Sequence, residues 1–265
     1  MPLYIDQLSR VINLPYPPKR IISVVPSQTE LLSYLGLKEE VIAITKFCVH
    51  PPEWFRTKPR VGGTKKLHLS TIRDLKPDLI LANKEENIKE EIEELANQFP
   101  VWVSDVTDLS SAYSMIKEVG KIVGRDREAE KLVADIQCAF ADNTKAISNY
   151  KLRTAYLIWK DPYMSVGGDT FINQMLEYAG FKNVFFERKR YPQIEIAELN
   201  ELNCEVLLLS SEPYPFNNKH VDELKSLLPN TKILLADGEL CSWYGSRLLQ
   251  APSYFKKLYQ EAVER

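Results

Sequence analysis

The chain has 265 residues, 45% hydrophobic and 26% charged, which is enough apolar content for one large core or two small ones and too much for a disordered segment. Its 34 basic and 36 acidic residues leave a formal net charge of −2, and that balance argues against a nucleic-acid-binding protein. No run of about 18 apolar residues could cross a membrane, Met1-Pro2-Leu3-Tyr4-Ile5-Asp6 lacks the basic-then-apolar pattern of a secretory leader, and Cys48, Cys138, Cys204 and Cys241 form no C-x-x-C pair. The expectation is a reduced, cytoplasmic protein, or a periplasmic or lipoprotein one if a leader precedes this chain.

In chain order, short β-branched runs alternate with helical patterns, the mark of an α/β fold with mainly parallel sheets. Residues 20–25 read as a strand stopped by Pro26. A helix is expected from Ser27, whose spacing to Glu30 is that of a capping box, with Leu31, Leu32 and Leu35 on its apolar face and Gly36 at its end. Further strands are expected at 41–45, 79–82 and 101–104. Residues 125–147 contain neither Pro nor Gly, and Ala129, Leu132, Val133, Ile136 and Phe140 recur at helical spacing, so one long helix is expected there. A strand follows at 154–159. A helix then opens near Asp169 or Thr170, with Phe171, Ile172, Met175, Leu176 and Ala179 as its stripe and Gly180 at its end. Strands at 206–209 and 233–235 complete the series.

The two halves repeat. The segment 69–82 matches 196–209 at an offset of 127 residues, with leucine, acidic residue and strand in register, and 101–105 resembles 233–237. The expected organisation is therefore an amino-terminal α/β lobe at 1–124, a connecting backbone helix at 125–148 and a carboxy-terminal α/β lobe at 149–265. These would be two Rossmann-like lobes with a ligand cleft between them.

In parallel α/β units ligands sit beyond the carboxyl ends of the strands. The loops at those places carry Phe47, Cys48, His50, Tyr163, Tyr191, Tyr214, Trp243, Tyr244 and Arg247. Bulky aromatics in irregular loops suit a flat or large apolar ligand. Cys48 and His50, with Cys241 from the other half, could alternatively ligate a transition metal, although a free cysteine is more often a small buried hydrophobe. His68 and His220 read as surface or loop residues. Gly62-Gly63-Thr64-Lys65 lacks phosphate-loop spacing, no G-x-S-x-G elbow occurs, and 85–94 reads as a solvated charged helix face.

Several of these segments resemble class III substrate-binding proteins, the ABC-transporter receptors for cobalamin, haem and iron-siderophores. In the amino half they are Arg20-Ile21-Ile22-Ser23-Val24-Val25-Pro26-Ser27-Gln28-Thr29-Glu30, then Val61-Gly62-Gly63 and Leu75-Lys76-Pro77-Asp78-Leu79. In the carboxyl half they are Asn173-Gln174-Met175-Leu176-Glu177-Tyr178-Ala179-Gly180 and Tyr191-Pro192-Gln193. The vitamin B12 receptor branch is the nearest in flavour. The resemblance implies a non-enzymatic binder that clamps a metal chelate, a cobalamin-like corrinoid first, with no intrinsic cofactor. Phe47, Tyr191 and the Trp243-Tyr244 loop would be aromatic contacts, with Lys65 and Arg247 as polar contacts. The aromatic that the family carries after Val61 is replaced here by Thr64-Lys65. The resemblance also implies an ABC permease partner engaged by one glutamate per lobe. Glu30 stands at the first position; the second is Ala197, with Glu198 adjacent. The alternative is a metal- or tetrapyrrole-handling enzyme on the same fold that uses Cys48, His50 and Cys241.

Overall fold

The computed structural model describes residues 2–144 and 150–264. The chain packs as two units. The first comprises the residues up to Val106 with Ser110–Ala134 and Tyr244–Ser246; the second comprises Thr107–Leu109, Asp135–Trp243 and the chain from Arg247 onward.

The first unit opens with a hairpin of β1 (Leu3–Ile5) and β2 (Val11–Asn13). Its turn is held by the buried Asp6 carboxylate, which accepts from the Leu8 and Arg10 amides at 3.0 and 2.8 Å and pairs with the Arg10 guanidinium at 2.7 Å. There follow β3 (Ile21–Ser23), α1 (Pro26–Tyr34), β4 (Val41–Ile44), α2 (Pro52–Thr57), the small hairpin β5 (Gly62–Gly63) and β6 (Lys66–Leu67), α3 (Leu69–Leu75), β7 (Leu79–Asn83), α4 (Lys89–Ala96), β8 (Val101–Ser104) and α5 (Leu109–Ile122). The long helix α6 (Asp126–Thr144) begins in the first unit and ends in the second. Of the helix expected at 125–147, residues 145–147 lie outside the described residues.

The second unit continues with β9 (Leu152–Leu157), α7 (Phe171–Tyr178), β10 (Phe181–Asn183), α8 (Ile196–Glu201), β11 (Val206–Ser210), α9 (Asn218–Lys225), β12 (Lys232–Ala236), α10 (Gly238–Ser242) and α11 (Ala251–Val263).

The main sheet of the first unit has the order β4-β3-β7-β8, and that of the second β10-β9-β11-β12. Every pairing in both is parallel. One plan therefore serves twice: β3, β4, β7 and β8 correspond to β9, β10, β11 and β12. The offset of 127 residues read from the sequence carries β7 onto β11 residue for residue, Leu79 onto Val206 and Asn83 onto Ser210. All residues of β7, β8 and β11 are buried, because helices cover both faces of such sheets and alternation gives way to continuous apolar runs.

Several local expectations are corrected. The strand expected to 25 ends at Ser23, and the helix begins at Pro26, not Ser27. Proline suits the first turn because its missing N–H would have had no helical partner. Val25 is the N-cap, no side chain caps this end, and the Ser27 hydroxyl is buried without a partner among the described residues. Reciprocal capping forms elsewhere. Glu198 accepts from the Glu195 amide at 2.7 Å, and His220 Nδ1 accepts from the Asn217 amide at 3.1 Å. His220 is thus a buried residue of α9, where a surface or loop position was expected. At α7 the choice between Asp169 and Thr170 falls to Thr170, whose hydroxyl accepts from the Asn173 amide at 3.2 Å.

Candidate functional site

The parallel sheets aim the carboxyl ends of their strands at one set of loops in each unit. In the first unit, the β4–α2 loop exposes Phe47 to 50%. Its ring lies against Gly63, where an added Cβ would sit 3.0 Å from Phe47 Cε2, and the Lys46 ammonium lies 5.0 Å from the ring centroid. Gly62 beside it has φ +101, and a side chain there would meet the Lys66 carbonyl at 2.4 Å. The Gly-Gly pair therefore builds a tight hairpin under an aromatic, not a phosphate loop. Lys65 Nζ donates to the Glu85 carbonyl at 2.5 Å, and Tyr244 donates through its hydroxyl to Glu86 at 3.0 Å. His50 is half-buried, and Glu30 is half-buried on α1.

Cys48 points the other way, fully buried between the Thr29 and Thr45 hydroxyls, each 3.1 Å from its sulfur. Burial pushes its thiol above the ordinary cysteine value. Cys241, in the second unit, is likewise buried and pushed up to about 12 by desolvation. Both are buried packing residues, and a thiol must lose its proton to ligate a metal. Among the described residues no group of three His, Cys, Asp or Glu could hold a metal ion.

In the second unit, Trp159 is 41% exposed and stands edge-on to Tyr214 at 5.7 Å, and Tyr214 packs on Phe216 at 4.7 Å. His220 Nε2 meets the Tyr214 hydroxyl at 3.2 Å, so the α9 cap also orients this aromatic cluster. Tyr163 and Tyr191 are half-buried, and the Arg190 guanidinium lies 5.7 Å from the Tyr191 ring centroid. Trp243 and Tyr244 are buried. Trp243 Nε1 donates to Glu212 at 2.7 Å, and the Arg247 guanidinium stacks 4.9 Å from the Trp243 centroid while pairing with Glu239 at 2.9 Å. Arg247 is thus engaged within the protein. Glu198 pairs with Arg188 and caps α8, and these bonds hold its carboxyl below the usual range. The exposed rings Trp159 and Phe186 were not singled out in the sequence, because nothing local separates a strand-end aromatic that faces solvent from one that folds inward.

Burial raises the Glu212 carboxyl above its ordinary value, opposed by hydrogen bonds from Trp243 and Ser242. A raised acid stabilises the fold fully below its unfolded value, and that contribution is lost as pH rises through the folded value. Glu212→Gln is therefore expected to flatten the fall in stability with rising pH on the acidic side, while keeping an acceptor for the indole. Glu212→Ala leaves that indole N–H without its acceptor and is expected to lower stability by about 1–3 kcal/mol. Urea unfolding of the three proteins at pH 4 to 8 checks both; parallel pH profiles for wild type and Glu212→Gln would refute the first.

Comparison with known proteins places this arrangement in a wider set. A family model described as periplasmic binding protein matches residues 21–227. An ABC transporter substrate-binding lipoprotein of Bacillus subtilis is 27% identical over 217 residues, spanning 78% of this chain and 68% of that protein. A vitamin B12-binding protein of Pectobacterium atrosepticum is 27% identical over 185 residues, 67% of this chain and 66% of that protein. Two solved structures share the fold. The periplasmic vitamin B12 binding protein of Vibrio cholerae has a TM-score of 0.80 at 21% identity, covering 95% of this chain and all of that one (100%). A periplasmic heme-binding protein from Roseiflexus has a TM-score of 0.81 at 22% identity, covering 93% and 99%. These relatives are solute-binding proteins, so the enzyme alternative built on Cys48, His50 and Cys241 is not supported. Their names are those of lipoproteins and periplasmic proteins, and the cytoplasmic expectation finds no support in them. No helix among the described residues is long and apolar enough to cross a membrane.

Proposed function

Because the chain belongs to the periplasmic binding protein family, the class III substrate receptors of ABC transporters, we propose that it captures a metal chelate, a cobalamin-like corrinoid first and haem or an iron-siderophore second. The observation that carries this reading is the pair of half-exposed rings, Phe47 and Trp159, at the carboxyl ends of strands in the two units. An exposed ring with an apolar face and no core to join gains most by covering a large, flat, partly apolar ligand. The names of the relatives support the same ligand class. In this reading Phe47, Tyr163, Tyr191 and Tyr214 touch the ligand and Lys65 supplies a polar contact. Trp243, Tyr244 and Arg247 would reach it only from their present hydrogen-bonded positions, and His50 lines the Phe47 loop. The ligand is cargo, with no intrinsic cofactor. On this reading the two lobes are those expected at 1–124 and 149–265.

The partner is an ABC permease, with Glu30 and Glu198 as the acidic docking residues, and the working compartment is the cell exterior or periplasm. Titration with cyanocobalamin, haemin and a ferric hydroxamate, followed by visible absorbance and tryptophan quenching, tests the reading. One of the three is expected to bind at micromolar concentration or tighter, and Phe47→Ala to weaken it about tenfold, the loss of one aromatic contact. Silence from all three would overturn it.

A further inference from the structure

A concavity of about 430 Å³ lies wholly within the first unit, bordered by Arg10 and β2 on one side and by Asn97, Gln98, Phe99 and Pro100 on the other. That volume falls within the ~300–1,000 Å³ common for small-molecule sites. The concavity stands at the amino end of β8, whereas Phe47 follows the carboxyl end of β4, and in one parallel sheet these are opposite ends. None of its lining residues belongs to the contact set assigned above to the chelate.

One wall is an open strand edge. β2 pairs with β1 alone. The Asp6 amide donates to the Arg10 carbonyl at 3.0 Å, and hydrogen-bonded and non-bonded pairs alternate along an antiparallel ladder. With Ile5 opposite Val11 and Tyr4 opposite Ile12, Ile12 turns its backbone groups to β1, while Val11 and Asn13 turn theirs outward. Residues 10–13 all border the concavity. Successive side chains of a strand point to opposite faces, so a space shared by all four runs along the edge. The adjoining outer face of the hairpin carries Leu3, Ile5 and Val11, all largely exposed.

Arg10 stands at one end of this edge. The buried Asp6 carboxylate takes its Nε at 2.8 Å and its Nη2 at 2.7 Å, and Nη2 also donates to the Val101 carbonyl at 3.2 Å. Among the described residues Nη1 has no hydrogen-bond partner, and no carboxylate borders the concavity.

We propose that this edge binds a short extended peptide with a free terminal carboxylate, added antiparallel to β2 as a third strand. Val11 and Asn13 offer donors and acceptors at the two-residue repeat of a peptide backbone. Antiparallel addition brings the carboxyl end of the peptide to Arg10, where Nη1 supplies a charge-assisted bond. Parallel addition would set an amino terminus there. Peptide residues opposite Val11 and Asn13 project onto the face of Leu3, Ile5 and Val11, which favours β-branched side chains at the first and third positions. Three residues span about 10 Å of strand, the length of β2.

The test is an amide-resolved NMR titration of the full chain with three probes: acetyl-Val-Thr-Val, its terminal carboxamide, and the same acid N-methylated at the last residue. The acid is expected to bind at millimolar concentration or tighter and to move the Val11 and Asn13 amides downfield. The carboxamide should bind about tenfold more weakly, and the N-methyl peptide, which has lost the donor that faces Val11, should leave both amides in place. Asn13→Pro removes an outward N–H at an edge position that tolerates proline and is expected to weaken the acid about tenfold. The peptide comparison is made on the unmodified chain and stands whether or not that variant folds. No shift at β2, an equal response to the N-methyl peptide, or equal affinity for acid and carboxamide would overturn the proposal. Shifts at Val11 and Asn13 on raising the protein concentration alone would overturn it too, by assigning the edge to a second copy of the chain. The chelate titration is independent, so either assignment can fail alone.

Discussion

Trp102→Ala is expected to lower the stability of the first unit by about 3–5 kcal/mol, the range for truncating a large buried aromatic. Trp102 lies on β8 with no exposed surface, and its indole N–H donates to the Ile5 carbonyl at 3.4 Å. The substitution therefore leaves a cavity at the sheet and also removes a tether to the amino-terminal hairpin. The loss should appear as a lower urea midpoint with little change in slope, since the surface exposed on unfolding is nearly the same. Phe47→Ala, which truncates a half-exposed ring, serves as the control and should scarcely move the midpoint. A Trp102→Ala protein within about 1 kcal/mol of wild type would mean that β8 is not a central element of this core.

Gly167→Val is expected to disturb the second unit by overpacking, at the upper end of the ~1–3 kcal/mol that such insertions cost. A Cβ at Gly167 would lie 2.4 Å from the Arg188 carbonyl oxygen and 2.8 Å from the carbonyl carbons of Arg188 and Lys189. These contacts are with backbone, so no side-chain rotamer relieves them. The Gly167 amide also donates to the Arg190 carbonyl at 2.7 Å, which ties this strand of loop to the segment carrying Phe186, Arg190 and Tyr191. Faster amide hydrogen exchange over 186–191, with exchange in β11 unchanged, is the expected signature. Uniform acceleration through the whole unit would instead indicate global destabilisation.

These two positions differ in how they could be found. Trp102 belongs to Val101-Trp102-Val103-Ser104, a continuous apolar run readable as a strand buried on both faces. Gly167 and Gly168 belong to no periodic pattern, and their role depends on backbone some twenty residues away in the chain. The same division runs through the candidate site. Phe47 and Tyr214 could be placed on strand-end loops from periodicity alone. That Cys48 turns inward onto two threonine hydroxyls, that Trp243 is held by Glu212, and that His220 caps α9 could not, because each depends on partners distant in sequence or on the local backbone path. Ser27 and Glu30 show the converse hazard. Their spacing suits a capping box, but Pro26 takes the first turn and shifts the helix start by one residue.

The repeated parallel α/β plan is legible in the amino-acid chain alone. Hydrophobic runs, helix stripes and an offset of 127 residues are local or translational patterns, and they survive in β7 and β11 without any knowledge of contacts. Which loop side chains stay exposed is settled instead by folding in three dimensions. Exposure of Phe47, Trp159 and Phe186, and burial of Cys48, Cys241, Trp243 and Tyr244, are set by long-range packing and hydrogen bonding. Such choices are made among residues of equal hydrophobicity, so composition and period carry no record of them.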